Sequence, residues 1–229
     1  MQLNLEKINS DFPLKKPEEI IRWAWQTFRH DLVTASSFGA ESALMLDMAT
    51  KIVPNIPVIF INTGYLFPET YLFVEKLSKR LSLNLKVYFS LISPREMENA
   101  YGKLWEKGED GLRLYHLIRK IEPMKRALRE LEARAVLYGV RAYQTENRST
   151  LSHVELNPER VYKVHPLLGL TKKEVESYFT LHALPYHPLA EKGYDSIGDI
   201  HTTVPGRNRE GRLLGPKMEC GLHINDRKV

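Results

Sequence analysis

Cysteine is nearly missing from this chain: one residue in 229, Cys220. A single thiol excludes an internal disulfide, so if Cys220 turns over, the second thiol must come from another molecule. Long apolar runs are also missing; the longest are far too short to span a bilayer. Residues 1–7 carry no apolar segment of the kind that opens a signal peptide. Together with the cysteine count, this predicts a cytoplasmic protein with no membrane partner. No low-complexity segment and no internal repeat appears. The net charge is +5, from 33 Lys and Arg against 28 Asp and Glu, yet no long basic block accompanies it. The excess gathers at the end, where residues 201–229 hold six Lys or Arg and three acids. That pattern suits a small, highly charged substrate as well as nucleic acid; charge alone suggests nucleic acid, and the expectation is that none is bound.

The patterning that is present alternates between strand and helix. Strands are expected at 32–35, 58–61, 85–89, 135–139 and 161–164. The run Val58-Ile59-Phe60-Ile61 reads as a strand buried on both faces. Helices are expected at 17–30, from about 43 to 51, from Pro68 onward, at 122–131 and at 171–182. Thr171 and Glu174 are spaced as a capping box at the start of the last of these. Strands alternating with helices predict an α/β fold: a parallel twisted sheet with helices on both faces. From about Pro185 the periodicity fades and turn residues dominate. We read this as a mobile tail that carries function, with a nucleotide-binding domain at 1–190 and the tail at 191–229.

Three loops follow expected strands, where open parallel sheets bind ligands. The first holds Ser36, Ser37, Phe38, Gly39 and Ser42. Its small residues before a helix suit a phosphate or sulfate; an ordinary strand-to-helix turn has the same look. It is not a Walker A loop, because no Gly-Lys-Ser/Thr follows. The second runs through Thr63 and Gly64 to Tyr71, with Phe67 read as core. The third carries Gly139 and Arg141, with Arg148 beyond. These arginines, and Arg119 and Lys120, can grip oxyanions or lie on a wet surface. Cys220 stands after a polar, turn-rich approach that includes Arg207, Arg209, Arg212 and Lys217. A free cysteine often packs as a small hydrophobe, but nearby cations favour its reactive thiolate. His223 either stabilises that thiolate or is structural.

Taken together, these segments resemble the phosphoadenylyl-sulfate reductases, thioredoxin-dependent enzymes of sulfate assimilation. The likeness runs through Ser36-Ser37-Phe38-Gly39, Thr63-Gly64-Tyr65-Leu66-Phe67-Pro68-Glu69-Thr70-Tyr71, Tyr101-Gly102-Lys103-Leu104-Trp105-Glu106 and Glu122-Pro123-Met124. It continues in Tyr186-His187-Pro188-Leu189 and Gly198-Asp199-Ile200-His201-Thr202-Thr203, and ends in Glu219-Cys220-Gly221-Leu222-His223. The resemblance implies an adenine-nucleotide α-hydrolase-like fold with a modified PP-loop at 36–42. Phe38 and Glu41 depart from the Ser-Gly-Gly-x-Asp-Ser loop of ATP-pyrophosphatase relatives. It implies Cys220 as nucleophile, a Cys220 S-sulfonate intermediate, adenosine 3′,5′-bisphosphate as leaving group, and release of sulfite by thioredoxin or glutaredoxin. It also implies a homodimer. Lys120, Arg141, Arg148, Arg209 and Arg212 are the candidates to neutralise an anionic substrate facing an anionic thiolate. Related adenylyl-sulfate reductases bind an iron–sulfur cluster through cysteines at the positions of Tyr115-His116 and of Asp199-Ile200-His201-Thr202. With no thiolates there, no bound cofactor and no metal are expected, and the 3′-phosphorylated nucleotide is the expected substrate. The alternatives are a cluster-free adenylyl-sulfate reductase and a nucleotide-binding redox switch without turnover. Asn62 and Ala142 also depart from the usual family residues, Asp and Arg.

Overall fold

The computed structural model of the chain describes residues 3–207 and 210–212. The first helices are α1 (Leu5–Asp11) and α2 (Pro17–Phe28), the latter leading into β1 (Leu32–Ala35). Helix α3 (Ser42–Ile52) connects β1 to β2 (Pro57–Asn62), and α4 (Pro68–Leu81) connects β2 to β3 (Asn84–Phe89). A long helical excursion follows, comprising α5 (Pro94–Tyr101), α6 (Gly108–His116) and α7 (Glu122–Glu130), before β4 (Ala135–Tyr138). The short α8 (Glu146–Ser149) precedes the hairpin of β5 (Val154–Leu156) and β6 (Tyr162–Val164), and α9 (Lys172–Leu181) closes the series.

The six strands form one sheet in the order β3-β2-β1-β4-β6-β5. Every pairing is parallel except that of β5 with β6. Alternation along the central strands feeds two cores. Leu32, Val58, Phe60, Ala135 and Leu137 face α2, α3, α4 and α9, whereas Val33, Ile59, Val136 and Tyr138 face α7. Both faces are therefore dry, as the unbroken apolar run in β2 requires. The order reverses between β1 and β4, and a crevice opens there at the carboxyl ends of the strands.

The structure departs from the sequence reading in four places. Helix α2 stops at Phe28 because Arg29 takes a positive φ of 50° and begins a 3-10 turn. Strand β5 went unrecognised; three residues are too few to show a period. Asn9 covers it from α1, its amide donating to the Val154 carbonyl at 2.9 Å and its oxygen accepting from the Val154 N–H at 2.9 Å. The helix expected at 122–131 is the end of a longer one: α6 runs through a π-helical turn, Leu117–Ile121, into α7. Finally, residues 185–207 are packed rather than loose. Leu189 and Ile197 form a cluster with Ala40, with Phe67 against it. His187 is fully buried; its N–H donates to the Ala40 carbonyl at 3.2 Å and its Nε2 lies 3.0 Å from Thr70 Oγ1. The segment has no helical or strand period because its polar groups bond to residues far away in the sequence, such as Ala40, Tyr65 and Thr70.

Candidate functional site

A cleft of about 220 Å³ lies at the strand-order reversal, and most of the expected residues meet there. Its first wall is the loop after β1, with Ser36, Ser37, Gly39 and Ser42 facing in. Ser36 Oγ accepts from the Phe38 N–H at 3.1 Å, and Ser42 Oγ donates to the Gly39 carbonyl at 2.9 Å. These bonds hold the loop's shape at the N-terminus of α3, where the helix dipole favours an anion. Phe38 does not line the cleft. Its φ of 50° turns the side chain into the core, where the ring meets Phe60 edge-on at 5.1 Å.

The second wall follows β4: Gly139, Arg141 and Arg148 face in. Arg141 is buried; its Nη1 donates to the Gly139 carbonyl at 2.7 Å and its Nη2 pairs with the Glu41 carboxylate. Arg148 donates to the Gln144 amide oxygen, which also accepts from the Arg141 N–H at 3.2 Å.

The floor comes from the loop after β2 and the π-helical turn. π-Turns insert one residue into a helix and often mark functional sites. This one turns two consecutive cations inward, and both are buried. Arg119 donates to the Thr63 carbonyl at 2.8 Å through Nε and to the Ile92 carbonyl at 2.6 Å through Nη1. Lys120 Nζ sits 2.7 Å from Asp199 Oδ2. Asp199 is fully buried, and Oδ1 accepts from the Thr63 hydroxyl at 2.5 Å. Burial pushes the Asp199 carboxyl up, but the Lys120 ammonium, the Thr63 hydroxyl and Arg212 outweigh it and hold it at about 2. Gly64 is beside the cleft rather than in it. Its φ is +78°, and a Cβ there would stand 2.7 Å from Pro94 Cγ, so glycine lets Thr63 and Arg119 meet.

The lid is the segment read as a tail. The Ile200 N–H donates to the Tyr65 carbonyl at 2.8 Å, and Leu66 and Asp199 form an antiparallel bridge. Arg212 reaches back over Gly198 into the cleft, with Nη1 donating to Thr203 Oγ1 at 2.9 Å. A Cβ at position 198 would lie 2.0 Å from that Nη1. Arg209, Cys220 and His223 lie outside the described residues.

Beside the cleft, the two stretches compared with cluster-binding segments come together. His201 stacks on Trp105 at 3.7 Å and meets Tyr115 edge-on at 5.2 Å. Burial holds the His201 imidazole down at about 4. Burial and the Asp199 carboxylate raise the Tyr115 hydroxyl far above its ordinary value. Among the described residues, no group of three or more His, Cys, Asp or Glu is placed to hold a metal ion.

Two contributors escaped sequence reasoning. In the sequence Asp199 reads as a position without a thiolate and not as a carboxylate that pairs a lysine; its only signal is its place in the Gly198–Thr203 motif, because the burial of Lys120 is visible in the structure alone. Glu41 was noted as a departure from a known loop; its pairing with Arg141, 100 residues away, had no local signal.

An open, mostly parallel sheet covered by helices on both faces, with a cation-lined cleft at its switch point, defines an α/β protein of the PP-loop type of fold. The sequence profile of the phosphoadenosine phosphosulfate reductase domain matches residues 31–205. The chain belongs to that family. It is 48% identical to the phosphoadenosine 5′-phosphosulfate reductase of Synechocystis, over 97% of this chain and 92% of that one. Among solved structures it resembles the phosphoadenylyl-sulfate reductase of Candida auris, in a phosphate complex. That match has a TM-score of 0.77 and 34% identity, covering 89% of this chain and 99% of the other. The FMN adenylyltransferase of Candida glabrata, at 15% identity and a TM-score of 0.59 over 88% of this chain and 65% of its own, shares the fold.

Proposed function

We propose that this protein reduces 3′-phosphoadenylyl sulfate to sulfite and adenosine 3′,5′-bisphosphate, with thioredoxin or glutaredoxin as electron donor. The observation that carries this reading is the convergence of Lys120, Arg141, Arg148 and Arg212 on one cleft, in a chain of this family. The Cys220 thiolate attacks the substrate sulfur. The bond from sulfur to the bridging oxygen breaks, the bisphosphate leaves with that electron pair, and Cys220 becomes an S-sulfonate. A thiolate of the reduced donor then attacks Cys220 Sγ, and sulfite leaves. The donor's second thiol resolves the mixed disulfide, so the donor is oxidised by two electrons and Cys220 is restored. An anionic nucleophile meeting an anionic substrate is electrostatically opposed. Fixed cations in a sheltered cleft reduce that opposition without reorganising. Arg212, which lines the cleft, stands eight residues before Cys220 in the sequence, and this supports a nucleophile supplied from the same end of the chain.

The test is substrate labelled with 35S. Wild type is expected to acquire label at Cys220, which reduced thioredoxin discharges as sulfite. Cys220→Ser is expected to lose labelling and turnover while keeping bisphosphate affinity within about threefold, since the substitution removes none of the candidate binding cations. Sulfite release by Cys220→Ser would overturn the assignment. Comparing turnover with and without the 3′-phosphate decides between the two sulfonucleotides.

A further inference from the structure

We propose that Glu41 is the exchangeable counter-ion of Arg141: it holds the guanidinium without ligand and is displaced by an anionic oxygen of the substrate. This rests on reading the cleft as a sulfonucleotide site. It goes further by assigning a carboxylate that opposes binding, so that affinity is set by an ion exchange and not by the cations alone.

Three observations carry it. First, two carboxylates paired with cations of the cleft, Asp199 with Lys120 and Glu41 with Arg141, differ in freedom. The Asp199 side chain is 0% exposed and shared with Thr63, so nothing can replace it. The Glu41 side chain is 20% exposed, against 7% for its partner Arg141. Second, Arg141 has unused capacity: its Nε is buried in the cleft wall with no hydrogen-bond partner among the described residues. A guanidinium binds oxyanions best through two parallel N–H groups, and Glu41 engages Nη2. An incoming oxyanion that takes Nε together with Nη2 gains what the present pairing leaves unmade. Third, Glu41 has somewhere to go. It also lines an adjoining cavity of about 260 Å³ with Tyr143, Lys172, Glu176, Tyr186 and Asp195, which gives its side chain room to turn away from Arg141. Glu41 immediately precedes α3, so it occupies the helix end where the dipole favours an anion.

The experiment is calorimetric titration of wild type, Glu41→Gln and Glu41→Asp with adenosine 3′,5′-bisphosphate and, separately, with adenosine. Glu41→Gln keeps the shape and removes the charge. It is expected to tighten the bisphosphate about fivefold, the factor of a partly exposed ion pair, and to leave adenosine within about twofold. A merely structural role for Glu41 would weaken both ligands. Bisphosphate affinity that is unchanged or weaker in Glu41→Gln overturns the exchange. So does equal tightening in Glu41→Asp, which keeps the charge and alters the fit. Failure of wild type to bind the bisphosphate overturns the reading of the cleft itself, a distinct result from binding that is indifferent to position 41.

Discussion

Lys120→Met isolates the buried pair beneath the cleft. The substitution keeps most of the apolar stem and removes the ammonium that stands 2.7 Å from Asp199. What remains is a carboxylate with 0% exposure, bonded to the Thr63 hydroxyl. Removing one member of a buried pair leaves an uncompensated charge and destabilises by about 3–5 kcal/mol. An independent measure comes from ionisation. The Asp199 carboxyl lies at about 2, against an ordinary 3.8, and the gap corresponds to about 2 kcal/mol at neutral pH. Because the folded value is the lower one, that contribution is fully present above about pH 4 and is lost as the pH falls toward 2. In Lys120→Met burial prevails, the folded carboxyl rises above its unfolded value, and the dependence reverses: the variant regains ground on wild type as Asp199 takes a proton. Urea denaturation from pH 7 down to pH 3 measures both effects. Lys120→Met is expected to lose about 3 kcal/mol at pH 7, and Lys120→Met with Asp199→Asn to recover most of it, since the amide carries no charge to strand. A loss under about 1 kcal/mol, or a double variant no more stable than Lys120→Met, would refute the reasoning. The order of experiments matters, because lost turnover in Lys120→Met is informative about chemistry only where the variant is still folded.

Arg212→Ala is expected to weaken adenosine 3′,5′-bisphosphate about tenfold or more, as loss of a charge-assisted hydrogen bond implies, and adenosine less than about twofold; equal weakening of both, read by calorimetry, counts against its role. Burial holds His165, His187 and His201 at about 4 each, below an ordinary 6.5, so unfolding lets them take up protons between those values. Wild-type stability should therefore fall as pH drops from about 6.5 to about 4, a window above that of Asp199; denaturation midpoints that stay flat across it would contradict the burial argument.

The sheet was legible because its strands obey a simple rule. Val58-Ile59-Phe60-Ile61 is apolar at every position, short, and rich in β-branched and aromatic residues, which is typical of a strand dry on both faces. Caps were legible for the same local reason: Thr171 accepts from the Glu174 N–H, and the Glu174 carboxylate accepts from the Thr171 N–H, as their spacing predicts. The π-helical turn was not legible. It depends on how Arg119 and Lys120 are drawn toward Thr63 and Asp199, and those partners are 56 and 79 residues distant in the sequence. The fold of residues 185–207 was hidden for a related reason. Its bonds run from Ile200 to Tyr65 and from His187 to Ala40, and no local period records such pairings. The candidate cations were readable as residue types, but whether each was exposed or buried was not. Arg119 and Lys120, which could equally have lain on a wet surface, are among the buried ones.

Several cations lining one cleft repel one another, and a protein that left them uncompensated would lose stability to prepare for a ligand. Here the compensation is divided. Asp199 neutralises Lys120 permanently and, through the bridge to Leu66, ties the lid segment to the floor; its removal should disturb fold and site together. Glu41 neutralises Arg141 at the partly exposed rim, where a competing anion can arrive, so its removal should alter affinity far more than stability. The proposed nucleophile, Cys220, is a third residue, outside the described ones and a member of neither pair. Affinity, stability and turnover are thus assigned to different residues, and variants at positions 41, 199 and 220 should separate them. If one substitution among these three moved all three properties in proportion, the division of labour argued from their burial and pairing would be wrong.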